Sequence, residues 1–117
     1  MRRFVAVSAG PVGEQPADES ALFRAVGTPL VRRAFKAVYA DLAVMEAEIG
    51  DSALDWTVLR PPKLTDKPGT GAWVLREGTG VPRRHSITRA DLASAMLAMA
   101  TEPEHKDTVH KVYGIAN

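Results

Sequence analysis

The chain contains no cysteine. That excludes disulfides, thiolate metal sites and cysteine nucleophiles, and it suits a reducing, cytoplasmic setting. A dominant charge is missing too. Fifteen lysines and arginines against fourteen acidic residues leave a net charge of +1, so neither nucleic acid nor an anionic membrane surface is an expected partner. No apolar run approaches the ~20 residues of a membrane span. Arg2-Arg3 followed by Phe4–Val7 imitates the start of a signal peptide, but the run is too short and Gly10-Pro11 breaks it. His85, His105 and His110 lack any metal-ligand spacing, and no metal is expected. Repeats and low-complexity tracts are absent. What remains is ordinary: 117 residues, 45% hydrophobic and 25% charged, enough for one domain with a core.

Phe4-Val5-Ala6-Val7 is a short continuous apolar run, typical of a strand buried on both faces in a parallel sheet. Residues 14–27 read as a polar loop with a helical turn near Ser20–Val26. Thr28-Pro29 then offers a helix start, threonine as cap and proline at the first turn. Val31, Phe35, Val38, Leu42, Met45 and Ile49 form one helical stripe, and Gly50 suits the position past the helix end. Leu54–Leu59 is a second strand, stopped by Pro61-Pro62. Residues 63–72 read as a loop. The segments 72–76 and 84–87 read as a small hairpin around Gly78-Thr79-Gly80. Thr88-Arg89-Ala90-Asp91 has capping-box spacing, ahead of a helix bearing Leu92, Ala95, Met96 and Met99 and closed by Glu102-Pro103. Val109–Ile115 is the last strand, with His110 alternating along it. Arg83-Arg84-His85 reads as a solvated turn, Glu46 and Glu48 as the exposed side of a helix, and Trp56 and Trp73 as core. The expected class is α/β: a partial doubly wound parallel sheet of about three strands plus a small hairpin and two main helices.

Three segments in order carry a family resemblance: RFVAVSAG at Arg3–Gly10, YADLAVME at Tyr39–Glu46 with LDWTVLRPPKLTD at Leu54–Asp66, and SITRADLA at Ser86–Ala93. Together they resemble the second half of atypical short-chain dehydrogenase/reductases, NAD(P)H-binding proteins of the NmrA-like and biliverdin reductase B-like kind. The resemblance spans nearly the whole chain and implies that residues 1–117 are the C-terminal half of a Rossmann-like domain. It implies NAD(P)H as cofactor and, in a complete version, hydride transfer to a small quinone-, flavin- or tetrapyrrole-like acceptor. The same resemblance places Ser8 and Ala9 beside the nicotinamide ribose, and Arg60, Pro61, Pro62, Lys63 and Leu64 in the segment that approaches the nicotinamide ring. In biliverdin reductase B a histidine follows the two prolines. Lys63 stands there in this chain, as a contact for a cofactor phosphate or an anionic substrate, or simply as a solvated loop lysine. Tyr39 matches the tyrosine of the Tyr-x-x-x-Lys pair, in which the lysine lowers the phenol pKa. Ala43 occupies the lysine position, so Tyr39 reads either as the catalytic acid/base or as a tyrosine flanking the apolar stripe.

A pyrophosphate needs a glycine-rich turn between a strand and a helix. Gly69-Thr70-Gly71 is followed by Val74 where a third glycine belongs, and Gly78-Thr79-Gly80 by Arg83, so neither fits the pattern. The expectation is a truncated chain, not competent alone, either an oxidoreductase half or a non-catalytic NAD(P)-binding sensor. A fragment that complements a separate N-terminal half is the third reading. An open apolar sheet edge then predicts self-association.

Overall fold

The computed structural model describes residues 3–12, 18, 20–102 and 107–117; His105 and Pro103 lie outside them. A four-stranded sheet has the order β1-β2-β6-β4, formed by β1 (Arg3–Val7), β2 (Asp55–Arg60), β6 (Lys111–Ala116) and β4 (Val74–Glu77). β1 and β6 both run parallel to β2, with Phe4 opposite Trp56 and Arg60 opposite Gly114, and β4 runs antiparallel to β6. A second sheet pairs β3 (Lys63–Thr65) with β5 (Ser86–Thr88) in parallel. This is the expected α/β class with a mainly parallel sheet.

The hairpin is not formed. β4 pairs with β6, and β5 pairs with β3, whose residues read as loop in the sequence. Strands of three or four residues take their partners from the tertiary context and not from propensity. Gly78, at φ +80°, turns the chain across the sheet, and its N–H donates to Val112 O at 2.8 Å.

The long helix is two helices. Helical backbone already runs through Phe23–Gly27 with wide π-type turns, so Gly27 precedes α1 (Thr28–Ala34) in helical geometry and no side chain caps it. Helical backbone thus already precedes Thr28, where the sequence placed the start of the helix. Phe35 (φ −120°, ψ 31°) separates α1 from α2 (Lys36–Gly50). The stripe covers the sheet only in part. Leu42, Met45 and Ile49 are half-buried, Phe35 and Val38 are exposed, and α2 has no fully buried residue.

The core lies on the other face. α3 (Arg89–Thr101) packs Leu92, Ala95 and Met99 on Leu59, Ile87 and Ile115, with Val5, Val7, Leu75 and Tyr113 around them. Each leucine, isoleucine, valine or methionine among them contributes about 1.5–3 kcal/mol by leaving water. Strand alternation turns Phe4, Ala6, Ser8, Val58 and Arg60 toward α2. Thr88 caps α3 by accepting from Asp91 N at 3.0 Å, as the spacing predicts. The Asp91 carboxylate does not reach back to the cap's own N–H. It holds the Thr88 hydroxyl and the Thr70–Gly71 amides instead.

The amino ends of the strands meet at Arg3. Its guanidinium donates to Met99 O (3.1 Å), Asp55 O (2.7 Å), Thr57 Oγ1 (2.8 Å) and Thr108 Oγ1 (2.7 Å). Burial lowers its pKa, and the charge of Asp55 opposes that shift. His110 is not on the last strand. It sits at φ 60° before β6, its ring 5.6 Å from that of Trp56 and its Nε2 3.0 Å from Leu54 O.

Candidate functional site at the carboxyl edge of the sheet

Parallel strands leave their carboxyl ends open for loops, and ligands of α/β sheets bind there. β1 exits through Ser8-Ala9-Gly10 and β2 through Pro61-Pro62. The two exits are laced together: Ser8 N–H donates to Leu59 O at 2.8 Å and Gly10 N–H to Pro61 O at 2.9 Å. Ser8 and Pro61 are buried, while Ala9 and Pro62 are half-buried.

Glu46 of α2 reaches down onto this edge. Its Oε2 accepts from Ser8 Oγ at 2.7 Å, and its Oε1 accepts from Arg60 Nε and Nη2 at 3.0 and 2.6 Å. The Glu46 side chain is 9% exposed and that of Arg60 19%. The sequence reading of Glu46 as a surface carboxylate is thus corrected: α2 lies against the sheet with this residue inward. A signal was present, since Glu46 falls four residues after Leu42 and three before Ile49, beside the apolar stripe. Two consequences follow for Ser8 and Arg60. The Ser8 hydroxyl gives its proton to Glu46 and keeps lone pairs for an incoming donor. Arg60 is held by a carboxylate of this chain, which competes with any phosphate.

Gly114 completes the floor. A Cβ there would stand 2.7 Å from Gly80 Cα and 3.0 Å from Thr79 C, and closer still to Thr79 O. The Thr79–Gly80 backbone therefore crosses directly over β6 beside Arg60, which only glycine permits. A lone glycine inside a strand was the signal for it. From there the chain passes the buried Val81 and reaches β5, where Lys63 N–H donates to His85 O at 3.3 Å.

Other sequence candidates separate from this cluster. Lys63 is exposed at the first position of β3. Leu64 packs against the core. Tyr39 is half-buried, its ring 6.1 Å from that of Phe35, and it lies two turns before Glu46, about 10 Å along the helix. Burial pushes its phenol above the ordinary value, opposite to what proton transfer near neutral pH requires.

A dinucleotide's two ends meet different receptions. The lone pairs of Ser8 fit a donor such as a carboxamide or a ribose hydroxyl. The pyrophosphate finds no cradle among the described residues. After β1 the chain makes a 3₁₀ turn in which Val12 N–H donates to Ala9 O. The Gly69–Gly71 turn already holds an anion of its own: Thr70 N–H and Gly71 N–H donate to Asp91 at 2.9–3.0 Å.

The sequence model of the NAD(P)H-binding family matches residues 1–103. The chain belongs to the NAD(P)H-binding family. That bears out the resemblance read from the three segments, and NAD(P)H is the family's cofactor. No curated protein sequence matches the chain. Solved structures share its fold. A short-chain dehydrogenase/reductase from Veillonella parvula DSM 2008, crystallised with NADP, superposes at TM-score 0.75 and 17% identity over 100% of this chain and 51% of its own. The anaerobillin reductase ChuY from Escherichia coli O157:H7 gives 0.71 at 20% identity, over 99% of this chain and 50% of its own. The oxidoreductase YlbE from Lactococcus lactis gives 0.70 at 20%, over 99% and 46%. The chain spans about half the length of these structures.

Proposed function

We propose that the chain is the nicotinamide-side half of an NAD(P)H-dependent oxidoreductase, with the pyrophosphate loop supplied by residues outside these 117. The observation that carries this is the Ser8–Glu46–Arg60 cluster at the exits of two parallel strands, in a chain whose glycine-turn amides serve an internal carboxylate. When bound, the nicotinamide would supply a hydride. Ser8 would accept a hydrogen bond from its carboxamide or ribose. Pro61 and Pro62 would wall the ring with backbone that lacks N–H donors. Neither Ser8 nor the Tyr39 phenol offers a proton, so the proton that accompanies the hydride comes from water. Such chemistry suits a conjugated acceptor, quinone-, flavin- or tetrapyrrole-like, and the fold shared with an anaerobillin reductase supports the last.

In a titration following NAD(P)H fluorescence, the chain alone is expected to give no change. Adding a polypeptide that carries a strand with a following glycine-rich turn is expected to give a saturable one. Saturable micromolar binding by the chain alone would refute the reading. Ala43 and the raised Tyr39 phenol favour a second reading, a non-catalytic sensor. NAD(P)H oxidation by the completed assembly with a quinone separates the two.

β1 forms one edge of the described sheet, and Phe4 is 40% exposed on it. We infer that the chain by itself self-associates there. Sedimentation velocity at rising concentration is expected to show dimers or larger species, and a compact monomer throughout would contradict it. A cytoplasmic setting belongs to the same proposal. Among the described residues no helix is long and apolar enough to cross a membrane.

A further inference from the structure

Arg83-Arg84-His85 is a motif that the oxidoreductase reading leaves unused. Pro82 and Arg83 make a turn, with Arg83 at φ 61°, and Arg83, Arg84 and His85 are all exposed. β5 starts at the next residue, Ser86, which is half-buried. Of the chain's serines and threonines, only Ser86 has two lysines or arginines among the three residues before it. Its hydroxyl has no hydrogen-bond partner among the described residues, since Ser86 is engaged through its backbone alone.

The fold places cations around this hydroxyl. Ser86 lies opposite Lys63 in the parallel pair of β3 and β5, so the two side chains leave the same face of that small sheet. Leu64 and Ile87, the next pair, pack in the core. Arg84 stands two residues before Ser86. Lys63 and Arg84 are exposed and form no ion pair among the described residues. The segment is also easily lifted. Lys63 N–H donates to His85 O at 3.3 Å and Asn117 N–H to Ser86 O at 3.0 Å. Breaking these two bonds frees residues 83–86 while Ile87 stays in the core, a local opening of the kind that proceeds without global unfolding.

We propose that Ser86 is a phosphorylation site for a serine/threonine kinase whose substrate cleft is lined with carboxylates, and that the phosphate then seats against Lys63 and Arg84. The carboxylates of the cleft grip Arg83 and Arg84, as an acidic surface meets a basic one. The Ser86 oxygen attacks the γ-phosphorus of ATP, the bond from that phosphorus to the bridging oxygen breaks, and ADP leaves. The hydroxyl proton passes to the catalytic carboxylate of the kinase. The new group carries about −1.5 to −2 charges. It turns two unmatched cations into a matched cluster through charge-assisted hydrogen bonds, and so ties the start of β5 to the backbone that leaves β2.

The folded 117-residue chain, ATP and the catalytic subunit of cAMP-dependent protein kinase test the site. Intact mass is expected to show one added phosphate, and peptide mapping to place it on Ser86. Arg83→Ala and Arg84→Ala are each expected to slow the transfer about tenfold, and Ser86→Ala to abolish it, all with the parent circular dichroism spectrum. Casein kinase, which selects serines with acidic neighbours, is expected to leave Ser86 unmodified. No incorporation into the folded chain while a peptide of residues 80–90 is modified, or undiminished incorporation in S86A, would overturn the site. Phosphorus NMR tests the seat. The second ionisation of the Ser86 phosphate is expected at lower pH in the folded chain than in the same chain unfolded in urea, because nearby cations favour the dianion. Lys63→Gln is expected to move it back toward the unfolded value without slowing the kinase. A folded midpoint equal to the unfolded one, or one that K63Q does not move, would overturn the seat.

Discussion

Gly114→Ala is expected to lower the free energy of unfolding by about 3 kcal/mol, the upper end of the usual cost of overpacking. The added methyl meets backbone atoms, Gly80 Cα at 2.7 Å and Thr79 C at 3.0 Å, which cannot rotate away as a side chain would. Either β6 shifts and strains its pairing with β2, or the 78–85 loop lifts. In the second case the Gly78 amide loses its bond to Val112 O, so its hydrogen exchange accelerates before the sheet amides respond. Urea denaturation measures the first effect and exchange by NMR the second. Gly50→Ala is the matched control. Its methyl would only touch Trp56 at 4.0 Å, and its midpoint is expected to stay put or rise slightly, since alanine favours a helix. If G114A is as stable as the parent and the Gly78 amide stays protected, the crossing is looser than the structure describes.

Asp91→Asn is expected to lower the melting temperature by on the order of 10 °C, from the loss of several charge-assisted hydrogen bonds at a buried position. Asp91 is 2% exposed. Its carboxylate accepts from Thr70 N and Oγ1, Gly71 N and Thr88 Oγ1, and from the Asn117 side chain. It thereby joins the loop before β4, the start of α3 and the C-terminus. An amide is neutral and turns two donors of its own toward these donors. In the parent, the Thr70 amide first, with Thr88 and Gly71 adding, holds the carboxyl well below the usual carboxylate range. The folded pKa is depressed, so the contribution is complete above the ordinary unfolded value of about 4 and drains as pH falls from there toward the folded value. Stability of the parent is expected to decline through that acid range, and the D91N variant should lack this part of the decline. Parallel acid slopes in thermal melts of the two proteins would remove Asp91 from this role.

Local pattern carried much of the architecture. Phe4–Val7 reads as a buried parallel strand because its apolar run is continuous, and Leu54–Leu59 as the next strand because Pro61-Pro62 ends it. The Thr88 cap was legible because its oxygen acts within one turn of chain. The misreadings share a cause, in that they concern contacts between distant residues. Nothing near Lys63–Thr65 says that Ser86–Thr88 will lie beside it. The site was half legible. Ser8, Ala9, Pro61 and Pro62 assemble from the two strand ends, but the partner that organises Ser8 and Arg60 comes from a helix. Glu46 read as solvated because it is an acid; its place beside the apolar stripe signals the inward face, but not the arginine fourteen residues away that pairs with it.

Arg3 sets how the scaffold beneath the site comes apart. Its charge is shared among four neutral oxygens drawn from β1's neighbour, the last turns of α3 and the segment before β6. Peeling any one of these elements away leaves a cation short of acceptors in a poorly hydrated corner. Fraying from the base is thereby discouraged for all of them at once, and the strands, α3 and the chain leading to β6 are bound into a single cooperative unit.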